Sequence, residues 1–258
     1  MRKSDIHDGR FARIGRMVGD EGMRRLSQSF VVVIGLGAVG SYATEGLARA
    51  GVGRFRLVDF DEVRLSNINR QLYALESTLG RKKCELAKER VLQINPKCRV
   101  ESLDCFVHRE TVEQVLADSP DLVIDAIDSF TPKTILIEAM LRRGIPFISS
   151  MGAALRTDPT LVRVGPMKEV AGCPLAAKIR KVLRQMELPL DFTCVYSTEP
   201  RAQLPAEAIK AAPETGEESL VRGRKRSTLG SLPTLTGIFG LTAANTAIQR
   251  LLVDLKHH

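Results

Sequence analysis

The stretch Phe30-Val31-Val32-Val33-Ile34-Gly35-Leu36-Gly37-Ala38-Val39-Gly40 decides the fold. Its first five residues are apolar and mostly β-branched, the pattern of a strand buried on both faces. Gly35, Gly37 and Gly40 follow at once, and a helical segment then runs to Ala50 and stops at Gly51. A second apolar run, Phe55-Arg56-Leu57-Val58, delivers Asp59 at its C-terminal tip. Without a Cβ in the way, a glycine backbone turns tightly and approaches a phosphate. The helix N-terminus offers free N–H groups and the positive end of its dipole to an anion. Asp59 lies 19 residues after Gly40, close to the spacing at which an acid accepts ribose hydroxyls. Alone, this strand–turn–helix–strand–acid unit suits NAD, FAD or ATP equally.

The next residues narrow the choice. Asp59-Phe60-Asp61-Glu62-Val63-Arg64-Leu65-Ser66-Asn67-Ile68-Asn69-Arg70-Gln71 leaves the strand on the ligand side of the sheet. It brings Asp61, the amides Asn67 and Asn69, Arg70 and Gln71 toward the nucleotide. Hydride transfer has no use for an arginine there, whereas a triphosphate does, because the guanidinium neutralises phosphate charge with a fork of donors. A helix over Lys82–Ile94 begins with lysines, which its dipole disfavours at that end. A triphosphate at the same place accounts for them, with Lys83 rather than Lys82 as the contact. The apolar run Asp121-Leu122-Val123-Ile124-Asp125-Ala126-Ile127-Asp128 reads as a buried strand with two acids at its C-terminal end. Asp128 is placed to hold Mg²⁺ against the phosphates, and Asp125 reads as structural.

Around this core the pattern alternates. Strands are expected at Arg99–Leu103, Ile145–Ser149 and Phe192–Ser197, and helices over Glu110–Ala117, from Pro132 to Gly144, and over Pro174–Glu187. Residues 30–150 therefore read as a doubly wound, mostly parallel α/β sheet. The helix over Pro174–Glu187 is basic and amphipathic, with Lys178, Arg180, Lys181 and Arg184. Residues 1–29 are charged and helical, and Arg10-Phe11-Ala12-Arg13-Ile14-Gly15-Arg16 is either a solvated face or the source of an arginine that reaches a phosphate across a dimer interface. Thr198 to Ser227 lacks periodicity and reads as a mobile loop. It carries Glu214, Glu217 and Glu218 and the run Arg222-Gly223-Arg224-Lys225-Arg226, which is either solvated or in contact with RNA phosphates.

The totals bound the class. The chain has 258 residues, 44% of them hydrophobic, enough for a sizeable core. A formal net charge of +8 favours an acidic partner such as RNA. Five cysteines with no CxxC pair point to a reducing cytosol and exclude a cysteine zinc site of that kind. Cys173 precedes Pro174 at a helix start, where a thiolate is favoured, while Cys194 reads as packed in a strand. The start of the chain is polar and carries no signal peptide. Ser227 to Gln249 is free of charge, but its proline, asparagine and threonines make it a buried helix rather than a membrane span.

Together GLGAVG, DFDEVRLSNINRQ, the Lys83 helix and VIDAIDS resemble the ubiquitin-activating-enzyme superfamily, which includes the ThiF-type activators of sulfur carriers. RFARIGRMVG, RVLQINPKCRV, PLAAKIRKVLRQ and CVYSTEP are similar to its tRNA-modifying branch, the threonylcarbamoyladenosine dehydratases. The resemblance covers most of residues 10–200 and implies a fold, a site and a reaction. It implies an N-terminal helical arm (1–29), an ATP-binding Rossmann-like adenylation domain (30–170) and a C-terminal part of the same domain (171–258), with a mobile basic loop at about 200–230 and a last helix. It implies ATP and Mg²⁺, with a monovalent cation as a further ion. The glycine turn (Gly35, Gly37, Gly40) lies at the phosphates, Asp59 at the ribose, and Asn69, Arg70 and Lys83 around the triphosphate. Asp61 and Asn67 belong to the same nucleotide-binding run, and Asp128 is at the metal. The N-terminal arginine of the family corresponds to Arg13 or Arg16. The implied reaction is adenylation of the carboxylate of threonylcarbamoyladenosine in the anticodon loop of tRNAs, followed by attack within the same side chain. The implied setting is cytoplasmic and homodimeric, with a cysteine desulfurase system as a further partner. The alternative is an adenylyltransferase for the C-terminus of a ubiquitin-like or sulfur-carrier protein. Those activators commonly hold zinc with two CxxC pairs, which this chain lacks.

Overall fold

The computed structural model describes residues 9–200 and 229–253. In chain order its elements are α1 (Ala12–Gln28), β1 (Phe30–Ile34), α2 (Gly40–Ala50), β2 (Arg54–Val58), α3 (Lys83–Ile94), β3 (Arg99–Leu103), α4 (Val112–Val115), β4 (Leu122–Asp125), α5 (Phe130–Arg142), β5 (Phe147–Ser150), β6 (Val162–Pro166), α6 (Pro174–Gln185), β7 (Thr193–Ser197) and α7 (Pro233–Leu251). Among the described residues the strands form one sheet in the order β3-β2-β1-β4-β5-β7-β6. All pairs are parallel except the last, where β6 runs antiparallel along β7 at the edge.

The strand sequences explain the layering. Successive side chains of a strand point to opposite faces. In β1, Val31 and Val33 enter the core shared with Leu47 of α2 and Phe239 of α7, while Val32 and Ile34 enter the core shared with Leu136 of α5 and Ile179 of α6. Both faces are covered, so the strand is apolar without alternation. The uncharged C-terminal stretch is α7, which buries Leu235, Phe239, Ala243 and Ala247 against this sheet. No helix among the described residues is long and apolar enough to cross a membrane.

Some boundaries differ from the expectations. α1 is broken at Gly19, whose φ of 68° and ψ of 177° are not helical. The helix expected over Glu110–Ala117 is one turn, Val112–Val115, because Asp118 and Ser119 take left-handed φ values of 63° and 50°. α6 stops at Gln185, before the left-handed Glu187. The edge strand β6 was not expected at all. Its Pro166 is tolerated because the strand lies at an edge. The acidic piece and the basic run between residues 214 and 226 lie outside the described residues.

One buried ion pair sets the end of β4. Asp125 and Lys133 are both 0% exposed, with Nζ 2.8 Å from Oδ2. Ser149 Oγ donates to the same oxygen at 2.6 Å, and the Ile127 N–H donates to Oδ1 at 3.1 Å. Lys133 Nζ also donates to the carbonyl of Ile127 at 3.0 Å. The segment leading to Asp128 is thereby gripped from both sides. Removing one member of such a pair leaves a buried charge uncompensated. Lys133→Met is expected to cost about 3–5 kcal/mol in denaturant unfolding. The double variant Asp125→Asn/Lys133→Met should recover part of that loss.

Candidate functional site

The site lies at the C-terminal ends of β1, β2 and β4. β1 is flanked by β2 on one side and β4 on the other, so the winding reverses there and a crevice opens. The glycine turn crosses it. Gly35 has a φ of 85°, and a Cβ on it would stand 2.9 Å from the carbonyl oxygen of Ala126. A Cβ on Gly40 would stand 1.7 Å from the carbonyl oxygen of Gly35. At Gly37 the nearest atom to an added Cβ would be Gln71 Nε2, at 3.7 Å. Internal packing therefore demands glycine at positions 35 and 40. At position 37 it leaves room, which suits a phosphate cradle.

Asp59 fixes the turn to β2. Its Oδ2 accepts the Leu36 N–H at 2.6 Å and its Oδ1 accepts the Asp61 N–H at 2.9 Å. Only 8% of the residue is exposed. Burial pushes its carboxyl above the ordinary carboxylate range, partly opposed by the Lys83 cation and the two backbone donors. Lys83 is 5% exposed, and its Nζ lies 3.1 Å from Asp61 Oδ2. Its own N–H donates to the Asp61 carbonyl at 3.1 Å, which seats the start of α3 against the tip of β2. Lys82 points elsewhere, to Glu62 and Asp104, each at 3.3 Å. Of the two lysines, Lys83 is the one at the crevice.

The loop between β2 and α3 folds back over the start of α2. Asn67 is buried, and its Oδ1 accepts the Arg64 N–H at 3.1 Å, closing a local turn. Asn69 is exposed. Arg70 donates to Asn69 Oδ1 at 2.8 Å and to the Ser66 carbonyl at 2.9 Å. The Leu72 N–H bonds Ser41 Oγ at 3.3 Å, and the Tyr73 hydroxyl bonds the Ser41 carbonyl at 3.2 Å. This ties the loop to α2. Asp128 is exposed just past β4, where Ser129 Oγ donates to its Oδ1 at 3.3 Å.

Other expected residues lie apart. Arg13 and Arg16 are exposed on the first half of α1. Phe11 and Met23 of that region pack at Gly51, beyond the C-terminal end of α2 and so at the foot of the sheet. Neither arginine stands at the crevice of this chain. Cys173 is buried as the residue before α6 and stands by Gly152 past the end of β5. Cys194 is fully buried, with its thiol pushed up to about 12 by burial. Three residues were not anticipated. Lys133 grips the Asp128 segment, and Arg156 is buried with Nη2 donating to the Gly172 carbonyl at 2.5 Å. Glu199, in CVYSTEP, accepts the Thr157 and Asp158 N–H groups at 2.8 and 3.0 Å. A lone cation after the small-residue turn Met151–Ala154 was the only signal for Arg156. Among the described residues no cluster of three or more His, Cys, Asp or Glu side chains can hold a metal.

Residues 11–258 match the ThiF family model. This chain belongs to the ThiF family. The tRNA threonylcarbamoyladenosine dehydratase of Escherichia coli is 35% identical over 256 residues, covering 96% of each chain. A crystal structure of the E. coli enzyme in complex with ATP superposes with a TM-score of 0.84 at 33% identity, covering 98% of this chain and 99% of that one. A SAMP-activating enzyme E1 of Haloferax volcanii is 38% identical over 152 residues, only 58% of this chain. The family's glycine turn generates a separable expectation in this member. Gly40→Ala must displace the Gly35 carbonyl and should lower stability by about 1–3 kcal/mol in denaturant unfolding. Gly37→Ala should stay within about 0.5 kcal/mol of wild type.

Proposed function

We propose that the chain is an ATP-dependent tRNA threonylcarbamoyladenosine dehydratase. The observation that carries this reading is that the likeness to the dehydratase spans 96% of both chains, whereas the likeness to a carrier-activating enzyme spans 58% of this one. The lack of any CxxC pair points the same way. So does the net charge of +8, which suits a polyanionic substrate.

The residues support a division of labour. Asp59 accepts the ribose hydroxyls through lone pairs left over from its two backbone contacts. The turn at Gly35, Gly37 and Gly40, with the start of α2, receives the phosphates. Lys83, held by Asp61, and Arg70, carried with Asn69 on the loop that Asn67 pins, meet the triphosphate. Mg²⁺ is usually held by one or two carboxylates together with substrate phosphates, so the lone Asp128 fits it and a full protein cage is not needed. Bound there, the ion would neutralise phosphate charge. The ATP-binding unit is residues 30–170, with 171–258 completing the same domain.

A carboxylate is a poor electrophile. Its oxygen attacks the α-phosphorus of ATP and pyrophosphate leaves, which gives an acyl-adenylate with AMP as a good leaving group. An atom of the same side chain then attacks the acyl carbon, the ring closes and AMP departs, with net loss of water. Lys83 and Arg70 stabilise the negative charge that develops on the phosphates. Ring closure is intramolecular, so positioning replaces a protein nucleophile, and no cysteine is required. Arg13 or Arg16 completes the site from a second copy in a homodimer, because neither reaches the crevice of its own protomer. The enzyme works in the cytoplasm, where its tRNA substrate is.

Ring closure is measured by nucleoside mass spectrometry after incubation with ATP and threonylcarbamoyladenosine-bearing tRNA. Wild type is expected to convert the nucleoside, and Lys83→Ala or Asp128→Ala to lower kcat/KM by about 10²–10³. ATP–pyrophosphate exchange that depends on a carrier protein ending in Gly-Gly, and not on tRNA, would overturn the reading in favour of carrier activation. Mixing an Asp128→Ala protein with an Arg13→Ala/Arg16→Ala protein should restore activity that neither has alone. Absence of restoration would place the arginines outside the reaction.

A further inference from the structure

The outer face of α6 carries a cationic stripe that the nucleotide site does not use. Lys178, Lys181 and Arg184 are exposed and recur at every third position, so they lie along one side of the helix. Apolar Ala176, Ile179 and Leu183 occupy the opposite side and are buried. The helix carries no acidic residue. Among the described residues none of the three cations forms an ion pair, whereas on other helices surface arginines are paired within one turn: Arg24 with Glu21, Arg49 with Glu45, Arg142 with Glu138. A helix with paired charges is adequately soluble, and an unpaired row of one sign repels itself. The repulsion is small in water, and an anion docked along the row relieves it.

The helix is also rigid and correctly directed. Arg180, on its flank, donates to the carbonyls of Met167 and Val170, which fastens α6 to the segment before it. Its first residue follows Cys173, which stands by Gly152 just past the C-terminal end of β5. α6 therefore starts at the crest that bears the nucleotide site and descends along the flank of the molecule. The stripe spans roughly 9 Å, at about 1.5 Å of rise per residue. This is on the order of the distance covered by two or three successive phosphates along one strand of an A-form RNA stem.

We propose that Lys178, Lys181 and Arg184 dock the phosphate backbone of the tRNA stem that continues from the anticodon loop, while the loop itself enters the crest. The inference rests on the substrate reading given above, and adds to it the path of the RNA over the protein. The contact is with backbone and not with bases, so it is insensitive to stem sequence and steep in salt.

Two measurements test it separately from that reading. Binding of purified tRNA is followed across a salt series for wild type and for the variant Lys178→Gln/Lys181→Gln/Arg184→Gln. None of these side chains belongs to the nucleotide site, so the KM for ATP should not change. The variant is expected to bind tRNA at least about tenfold more weakly at physiological salt, with a log–log salt slope shallower by roughly two to three. A short single-stranded oligonucleotide with the anticodon-loop sequence, lacking the stem, should bind both proteins alike. An unchanged Kd and slope for tRNA overturns the docking strip, and so does an equal loss for tRNA and oligonucleotide. A wild-type protein that binds tRNA through the strip but never closes the ring leaves the strip standing and sinks the dehydratase reading instead.

Discussion

Everything at the crest depends on the carboxylate of Asp59 holding two backbone N–H groups at once, that of Leu36 in the glycine turn and that of Asp61 in the next loop. One side chain at the tip of β2 thereby sets both walls of the crevice. Hydrogen bonds to a charged acceptor contribute about 1.5–3 kcal/mol each, against the penalty of a carboxylate that is 8% exposed. Burial raises its affinity for a proton, and Lys83 opposes that rise. The lysine is thus part of the architecture before any ligand arrives. Through Asp61 it fastens the start of α3 to the same loop.

The buried ion pair at the end of β4 follows a different logic. Asp125 and Lys133 are withdrawn from solvent entirely, and each further hydrogen bond of their side chains goes to the segment between Asp125 and Ile127 or to Ser149 of β5. A buried ion pair adds little net stability over an apolar pair of the same size, but it is directional. Here it defines the path by which the chain leaves β4, and so where Asp128 stands. The two acids of one strand end divide between holding the backbone and facing the solvent.

The fold was legible wherever a local pattern had no rival. β1 and the stop of α2 at Gly51 follow from a β-branched run and a left-handed glycine of φ 92°. β6 was not legible, because its only partner is β7, some thirty residues on, and Val162-Arg163-Val164-Gly165-Pro166 has no strand signal without it. In the site, the lysines at the start of α3 stood out because a cation there contradicts the dipole, but that rule does not separate Lys83 from Lys82; only the burial of Lys83 against Asp61 does. The same dipole rule applies to Lys133 in the first turn of α5, but its full burial comes from long-range packing that no local pattern marks. Arg156 was hidden for the same reason: long-range burial leaves no periodic mark on a single cation.

Charge placement also gives the crevice a direction. Two carboxylates, Asp59 and Asp61, stand at the tip of β2, and the start of α2 presents unpaired N–H groups at the glycine turn beside it. A nucleotide with hydroxyls toward the acids and phosphates toward the helix start satisfies both ends. Reversed, it would bring a phosphate to within about 4 Å of a carboxylate, a repulsion on the order of 4 kcal/mol per charge pair at an effective dielectric of about 20. Helix-dipole attraction, about 0.3–1 kcal/mol and up to about 2 when partly buried, cannot offset that. The acids therefore discriminate orientation more strongly than the helix does, with Lys83, 3.1 Å from Asp61 Oδ2, offsetting the charge of one of the two.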